Sequence, residues 1–263
     1  MTIFRFETRR QLRNTVTWTA VIVVVLWLML YGFYPLVVNS RTAMEEMLAS
    51  FPPGVLAAFG INLDDVFAFA GFSRMVYLYD ALLGAIMATG TAAAIFAREK
   101  QNKSSDFLLT KPLSRSEIFV QKLAACLTLI GVLNIPYVAV YTASYLHYTG
   151  SVTRPDLLTI LCLFLMQLVF VSFGIAAAVF MRRVRSSSAT GVSIGMFAFL
   201  LSMVYSLSEK DVFRFISPLS YFNPDAVFKT GRYDMPSVAT AIVLMLGLTA
   251  AAYVRFTTAD VPA

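Results

Sequence analysis

Long apolar runs alternate with short charged ones along the whole chain, and the apolar runs have membrane-spanning length. Residues 16–38, 75–97, 117–145, 157–181, 187–207 and 238–254 are each predominantly apolar. About 20 such residues make an α-helix long enough for a hydrocarbon core of about 30 Å. The pattern predicts an all-α polytopic membrane protein with six transmembrane helices, and an even count puts both ends on one side. Pro136, two residues after Asn134, interrupts the third run. Its ring clashes with the Val132 carbonyl and frees a backbone acceptor, so a kink is expected there.

The interruptions carry the remaining pattern. Residues 39–73 and 208–237 are too long for simple turns and are expected on the outer face. The first is predicted to hold an amphipathic helix over 41–51, broken at Pro52-Pro53. Glu45, Glu46, Asp64 and Asp65 there either attract a cation or a basic substrate or form the solvated side of a surface helix. The second is apolar for a loop, which suggests short interfacial or re-entrant helices. Residues 1–14 set Arg5, Arg9, Arg10 and Arg13 among Ile3, Phe4, Phe6 and Leu12. They read as an interfacial helix on the anionic inner leaflet, or as a basic flank that only fixes orientation.

The most charged interruption lies between the second and third runs. Pro112 lacks an N–H and pushes Lys111 away from helical dihedrals, so a first polar helix should end there. Ser114-Arg115-Ser116-Glu117 then reads as a capping box, in which each side chain satisfies the other residue's backbone N–H. A new helix is expected from Ser114.

Composition excludes a soluble fold. The 263 residues are 58% hydrophobic with mean hydropathy +0.72, and 14% are charged, against about 25% in soluble chains. The net charge of +6 is explained by topology rather than by nucleic acid. Fourteen of the 21 Lys and Arg fall on the side of the N-terminus and seven opposite, which puts both termini in the cytoplasm. The first apolar run exceeds the roughly 7–15 residues of a signal-peptide core and has no small-residue cleavage site, so it is expected to stay as an anchor. The whole of 1–263 reads as a single transmembrane domain. Cys126 and Cys162 both fall inside spans and suggest neither a disulfide framework nor a metal cluster.

Candidate chemistry is sparse. No G-x-x-x-x-G-K-[ST] run exists to cradle nucleotide phosphates, no H-E-x-x-H or G-x-S-x-G motif is present, and His147 is the only histidine. No catalytic, cofactor or metal site is expected. Asp80, Asn134, Pro136 and Gln167 are the groups within spans that could line a pathway, and intramembrane polar groups are costly enough to mark one. Packing within the protein is the alternative for each, and for Asp80 a hydrated or Tyr-paired carboxylate near the outer interface. Ser187, Gly191 and Gly195 recur every four residues, a ridge that admits close approach of another helix. It serves either packing within one subunit or part of a dimer seam.

Glu99, Phe107-Leu108-Leu109, Pro112, Ser114-Arg115, Ile118 and Lys122 resemble the signature between the second and third spans of type-2 ABC transporter permeases. The chain departs from it at Lys103-Ser104-Ser105-Asp106, where Gly-Thr is commoner. Ser217-Pro218, Tyr221 and Asn223-Pro224, before the last span, are similar to the same family's pattern. The resemblance implies the membrane subunit of an exporter in a bacterial or archaeal cytoplasmic membrane. Two copies, or one with a related permease, would meet through the first and fifth spans and work with two ATPase subunits that hold ATP and Mg. It also implies that residues 98–116 form a coupling segment. Glu99, Lys103, Asp106 and Arg115 would meet charged groups of the ATPase, and Phe107, Leu108 and Leu109 would fill an apolar groove. The aromatic-rich spans suit an amphipathic cargo such as a peptide, drug or lipid, and equally suit packing. A gradient-driven transporter or a scaffold without an ATPase is the alternative.

Overall fold

The computed structural model describes residues 2–98, 114–208 and 211–258. Its helices are α1 (Ile3–Trp27), α2 (Tyr34–Asn39), α3 (Arg41–Ala49), α4 (Pro53–Ala58), α5 (Phe69–Phe96), α6 (Arg115–Thr149), α7 (Arg154–Phe180), α8 (Ser187–Ser208), α9 (Asp211–Ile216), α10 (Pro224–Thr230) and α11 (Met235–Thr258). Six helical stretches are long and apolar enough to cross a membrane: Ile3–Asn39, Phe69–Phe96, Arg115–Thr149, Arg154–Phe180, Ser187–Ser208 and Met235–Thr258. The side carrying the N-terminal arginines is termed inner.

Local chemistry sets the ends of these helices. Ser114 caps α6 through the capping box: the Glu117 N–H donates to Ser114 Oγ at 3.2 Å and the Ser114 N–H to Glu117 Oε2 at 2.8 Å. Gly150 closes α6 in the left-handed region, at φ 74°. α6 runs unbroken through Pro136. Asn223 caps α10, its Oδ1 accepting the N–H groups of Asp225 and Ala226 at 2.9 and 3.3 Å.

The first span differs from the sequence expectation. Helix α1 begins at Ile3 and passes Asn14 without a break, so residues 1–14 form no separate interfacial helix. No Pro or Gly stands there to end the helix, and Glu7 and Gln11 are buried against the rest of the protein. The same span widens into a π-helical turn at Leu28–Phe33 before α2. Pro35 accounts for its position, because its ring would clash with the Tyr31 carbonyl in a regular helix and a wider turn moves that group aside.

The other departures lie at the outer face. Helix α5 starts at Phe69 and α11 at Met235, each a few residues before the expected start of its span. Helix α3 buries no residue, and Glu45 pairs with Arg41 at 2.7 Å on its exposed side, so Glu45 lies on the solvated side of a surface helix.

Helices α5 and α7 form the interior, α8 covers α5, α6 packs against α1, and α11 packs against α7. Small residues allow these contacts. A Cβ added to Gly174 of α7 would run into Thr89 and Ala92 of α5, and one at Gly195 of α8 would stand 2.6 Å from Ile86 Cγ1. Close backbone approach is a main source of association where lipid removes the hydrophobic drive. Gly191 likewise faces Ile86 and Gly90. At Gly191 and Gly195 the small-residue ridge is therefore filled by α5 of the same chain, the packing alternative of the two.

Candidate functional site

The inner face gathers charges from three spans around Glu7. Its carboxylate pairs with Arg98, at the inner end of α5, and lies 3.4 Å from Lys122 Nζ in α6. Lys122 also donates to the Ile95 carbonyl at 2.5 Å and is fully buried. Charges taken out of water this far persist only when paired and hydrogen-bonded. The cluster joins α1 to the two helix ends that bracket the expected coupling segment. Nearby, Arg115 Nη1 donates to the Thr257 carbonyl at 3.4 Å, and the Ser116 and Tyr253 hydroxyls lie 2.9 Å apart. Phe96, Phe119, Tyr253 and Phe256 pack edge to face around them, so the inner end of α11 is tied to the same base. Of the expected coupling residues only Arg115 is among those described; Glu99, Lys103, Asp106, Phe107, Leu108 and Leu109 lie outside them, as does Pro112.

A cavity of about 220 Å³ opens between α1, α5 and α8 in the inner half, with Gln11, Asn14, Trp18, Thr91, Ser187 and Ser188 in its wall. Thr91 Oγ1 is buried without a hydrogen-bond partner. A polar lining of this kind is poorly matched to lipid chains.

The polar groups expected within spans come together in part. Asn134 Nδ2 donates to Gln167 Oε1 at 2.7 Å, joining α6 to α7. Asp80 is fully buried and accepts from the Tyr137 hydroxyl at 3.4 Å, the Tyr-paired alternative of the sequence reading. Above it, Tyr141 donates to the Ser73 carbonyl and the Tyr145 hydroxyl meets Ser73 Oγ at 2.9 Å. Pro136 is only half-buried and stands apart from them. Asp80, Asn134 and Gln167 are enclosed by α5, α6 and α7 of one subunit. Their side chains meet neighbours within one subunit, the packing alternative for each.

The outer end has its own clamp. Arg74, near the start of α5, is buried; it pairs with Asp65 and its Nε donates to Asp225 at 2.6 Å. It thereby ties both outer segments to the core, with its guanidinium 4.2 Å from the Phe228 ring. Asp234, before α11, pairs with Arg214 and accepts the Ser237 N–H at 2.9 Å. Burial pushes the Asp234 carboxyl up, but the bonds from Ser237 and Arg214 outweigh it and hold the group below the usual carboxylate range.

Glu7 and Arg74 were not singled out by sequence reasoning. Glu7 had one signal, as the only acid among four arginines in residues 1–14. Arg74 had none, since its partners lie in two separate segments. Among the described residues no group of three or more His, Cys, Asp or Glu could hold a metal ion, and both cysteines are buried free thiols.

Six membrane-length helices among the described residues, with charged clamps at both faces and a polar cavity in the inner half, define a polytopic helical membrane protein. The sequence pattern of the ABC-2 family transporter proteins matches residues 1–261, and the chain belongs to that family. No curated protein and no solved structure matches it. It is a permease subunit and a multi-pass protein of the inner membrane, and membership of the family implies pairing with an ABC ATPase subunit.

Proposed function

We propose that this chain is the permease half of an ATP-driven exporter, with two copies enclosing a pathway for an amphipathic cargo and two ATPase subunits docking at residues 98–116. The observation that carries this reading is the Glu7 cluster. Arg98 and Lys122, on the two helices that bracket the segment, meet on one carboxylate from α1. A push on the segment is thus delivered to three spans together. Phe107, Leu108 and Leu109 supply the apolar contact with the ATPase and Glu99, Lys103, Asp106 and Arg115 the charged ones. The cavity between α1, α5 and α8 supports a pathway along that face. Val192, Met196, Phe197 and Leu200 are exposed on α8, and Val16, Val21 and Val24 on α1. These residues are the contact surface for a second copy.

The test is co-purification of the chain with its ATPase in mild detergent, followed by assays of ATP hydrolysis and cargo movement in vesicles. Leu108→Asp and Phe107→Asp should release the ATPase or leave hydrolysis uncoupled from transport. Intact assembly with coupled turnover in both variants overturns the docking assignment.

A further inference from the structure

The coupling scheme makes no use of Asp80. Its carboxylate lies on α5 about 16 Å along the helix from Phe69, with no exposed surface. One oxygen accepts the Tyr137 hydroxyl at 3.4 Å, and the other, Oδ1, has no hydrogen-bond partner. Three more buried polar atoms on the helices around it also lack partners: the Tyr77 hydroxyl on α5, Asn134 Oδ1 on α6 and Gln167 Nε2 on α7. Tyr77 lies three residues before Asp80 and Asn134 three before Tyr137. Gln167 packs over Gly84, where an added Cβ would stand 3.0 Å from Nε2. The carboxylate's one hydrogen-bond partner is Tyr137 on α6, with Tyr77 one turn before it on its own helix and Tyr141 one turn beyond Tyr137. None of these is a cation. Arg74, six residues earlier, directs two of its nitrogens to Asp65 and Asp225.

A bare carboxylate in such a place costs many kcal/mol, and proteins neutralise it or pair it. The geometry points to a site for one monovalent cation, a proton or an alkali-metal ion, seated at Asp80 Oδ1 and reached from the outer face. The oxygens brought together there are the carboxylate and the Tyr137 hydroxyl, hard donors suited to such ions. An approach from the outer face extends as far as Tyr77, one turn before Asp80. Tyr77 and Arg74 line an outer cavity of about 90 Å³ between α5, α8 and α10, room for about three waters at roughly 30 Å³ each. Arg74 Nη1, which has no partner, belongs to a side chain of that wall. Both forms of the ligand deliver the same positive charge to the same oxygen, and the experiment separates them.

The full chain is reconstituted in nanodiscs, and two readouts are taken on wild type and Asp80→Asn. Infrared spectroscopy at neutral pH looks for the carbonyl band of an un-ionised carboxyl. Thermal unfolding is followed with NaCl or KCl replacing N-methyl-D-glucamine chloride at constant ionic strength. A carboxyl band present in wild type and lost in D80N identifies the ligand as a proton. No such band, with a thermal midpoint raised by Na⁺ or K⁺ in wild type but not in D80N, identifies an alkali ion. Absence of both overturns the site. If D80N does not fold, Tyr137→Phe replaces it, since it keeps the carboxyl and removes its one hydrogen bond. It must shift the band or raise the half-saturating ion concentration at least tenfold, and an unchanged response overturns the site equally.

Discussion

Glu7 and Arg98 are 91 residues apart in the chain and form a buried ion pair at the inner face, with Lys122 on the other oxygen of the same carboxylate. Removing the shared negative charge should cost more than removing either cation. Glu7→Gln should lower stability by roughly 3–5 kcal/mol, the range for breaking a buried pair from one side. Lys122→Met should recover part of that loss in the double variant. Thermal unfolding of the four proteins in detergent forms a double-mutant cycle, and strictly additive losses would show that the two side chains do not interact.

The close packing of α8 on α5 gives a contrast between two glycines. A Cβ at Gly191 would meet backbone, the Ile86 carbonyl oxygen and, at 3.0 Å, the Gly90 nitrogen, whereas one at Gly131 of α6 meets nothing within 4 Å. Gly191→Ala should destabilise by about 1–3 kcal/mol through overpacking. Gly131→Ala should be neutral or stabilising by up to ~1 kcal/mol through helix propensity. Equal melting shifts in the two variants would remove the case for tight α5–α8 contact.

Arg74 holds two outer segments with one guanidinium, and the fork geometry is what allows it. Arg74→Gln should cost roughly 1.5–3 kcal/mol, as expected for lost hydrogen bonds to charged groups. Arg74→Lys should fail to restore it because a point charge cannot reproduce two divergent bonds. Protease added to the outer side of oriented vesicles should cut both variants faster within residues 59–68 and 221–234, and unchanged cutting would argue against the clamp.

Much of this architecture is legible in the sequence, and the reason differs by feature. The six spans follow from the length of the apolar runs, and the start of α6 follows from Ser114 and Glu117, because both signals are local. The Glu7 and Arg74 clusters depend on partners chosen across the bundle, which neither periodicity nor spacing records. The ridge at Gly191 and Gly195 shows the same limit. Small residues announce a close helix contact, but the partner's identity, α5 of the same chain, is a tertiary fact. The polar residues inside spans were visible individually; their enclosure within one subunit was not.

The Asp234 carboxyl gives a pH dependence with a defined sign. Its folded value is depressed by its bonds to Ser237 and Arg214. Its contribution is therefore complete above the ordinary Asp value of about 4 and is lost as pH falls through the lower folded value. Asp234→Ala should lower the thermal midpoint at pH 7, and the gap to wild type should close in acid. A gap that stays constant down to the lowest pH at which the protein remains folded would separate Asp234 from this role.

The wide turn at Leu28–Phe33 changes how α1 transmits force. One additional residue in a helical turn rotates everything beyond it by about 100° and displaces it by about 1.5 Å. A turn of this kind can migrate along a helix as a travelling dislocation, passing its hydrogen bonds from one carbonyl to the next. Here it stands between Glu7 at the inner face and the Tyr34, Phe69 and Tyr148 ring contacts at the outer face. The first span therefore differs in its hydrogen-bond register from α5, which is a regular α-helix from Phe69 to Phe96. Between the Glu7 and Tyr34 contacts the first span thus carries a wide turn, whereas α5 runs from Phe69 to Phe96 with none between its two clamps.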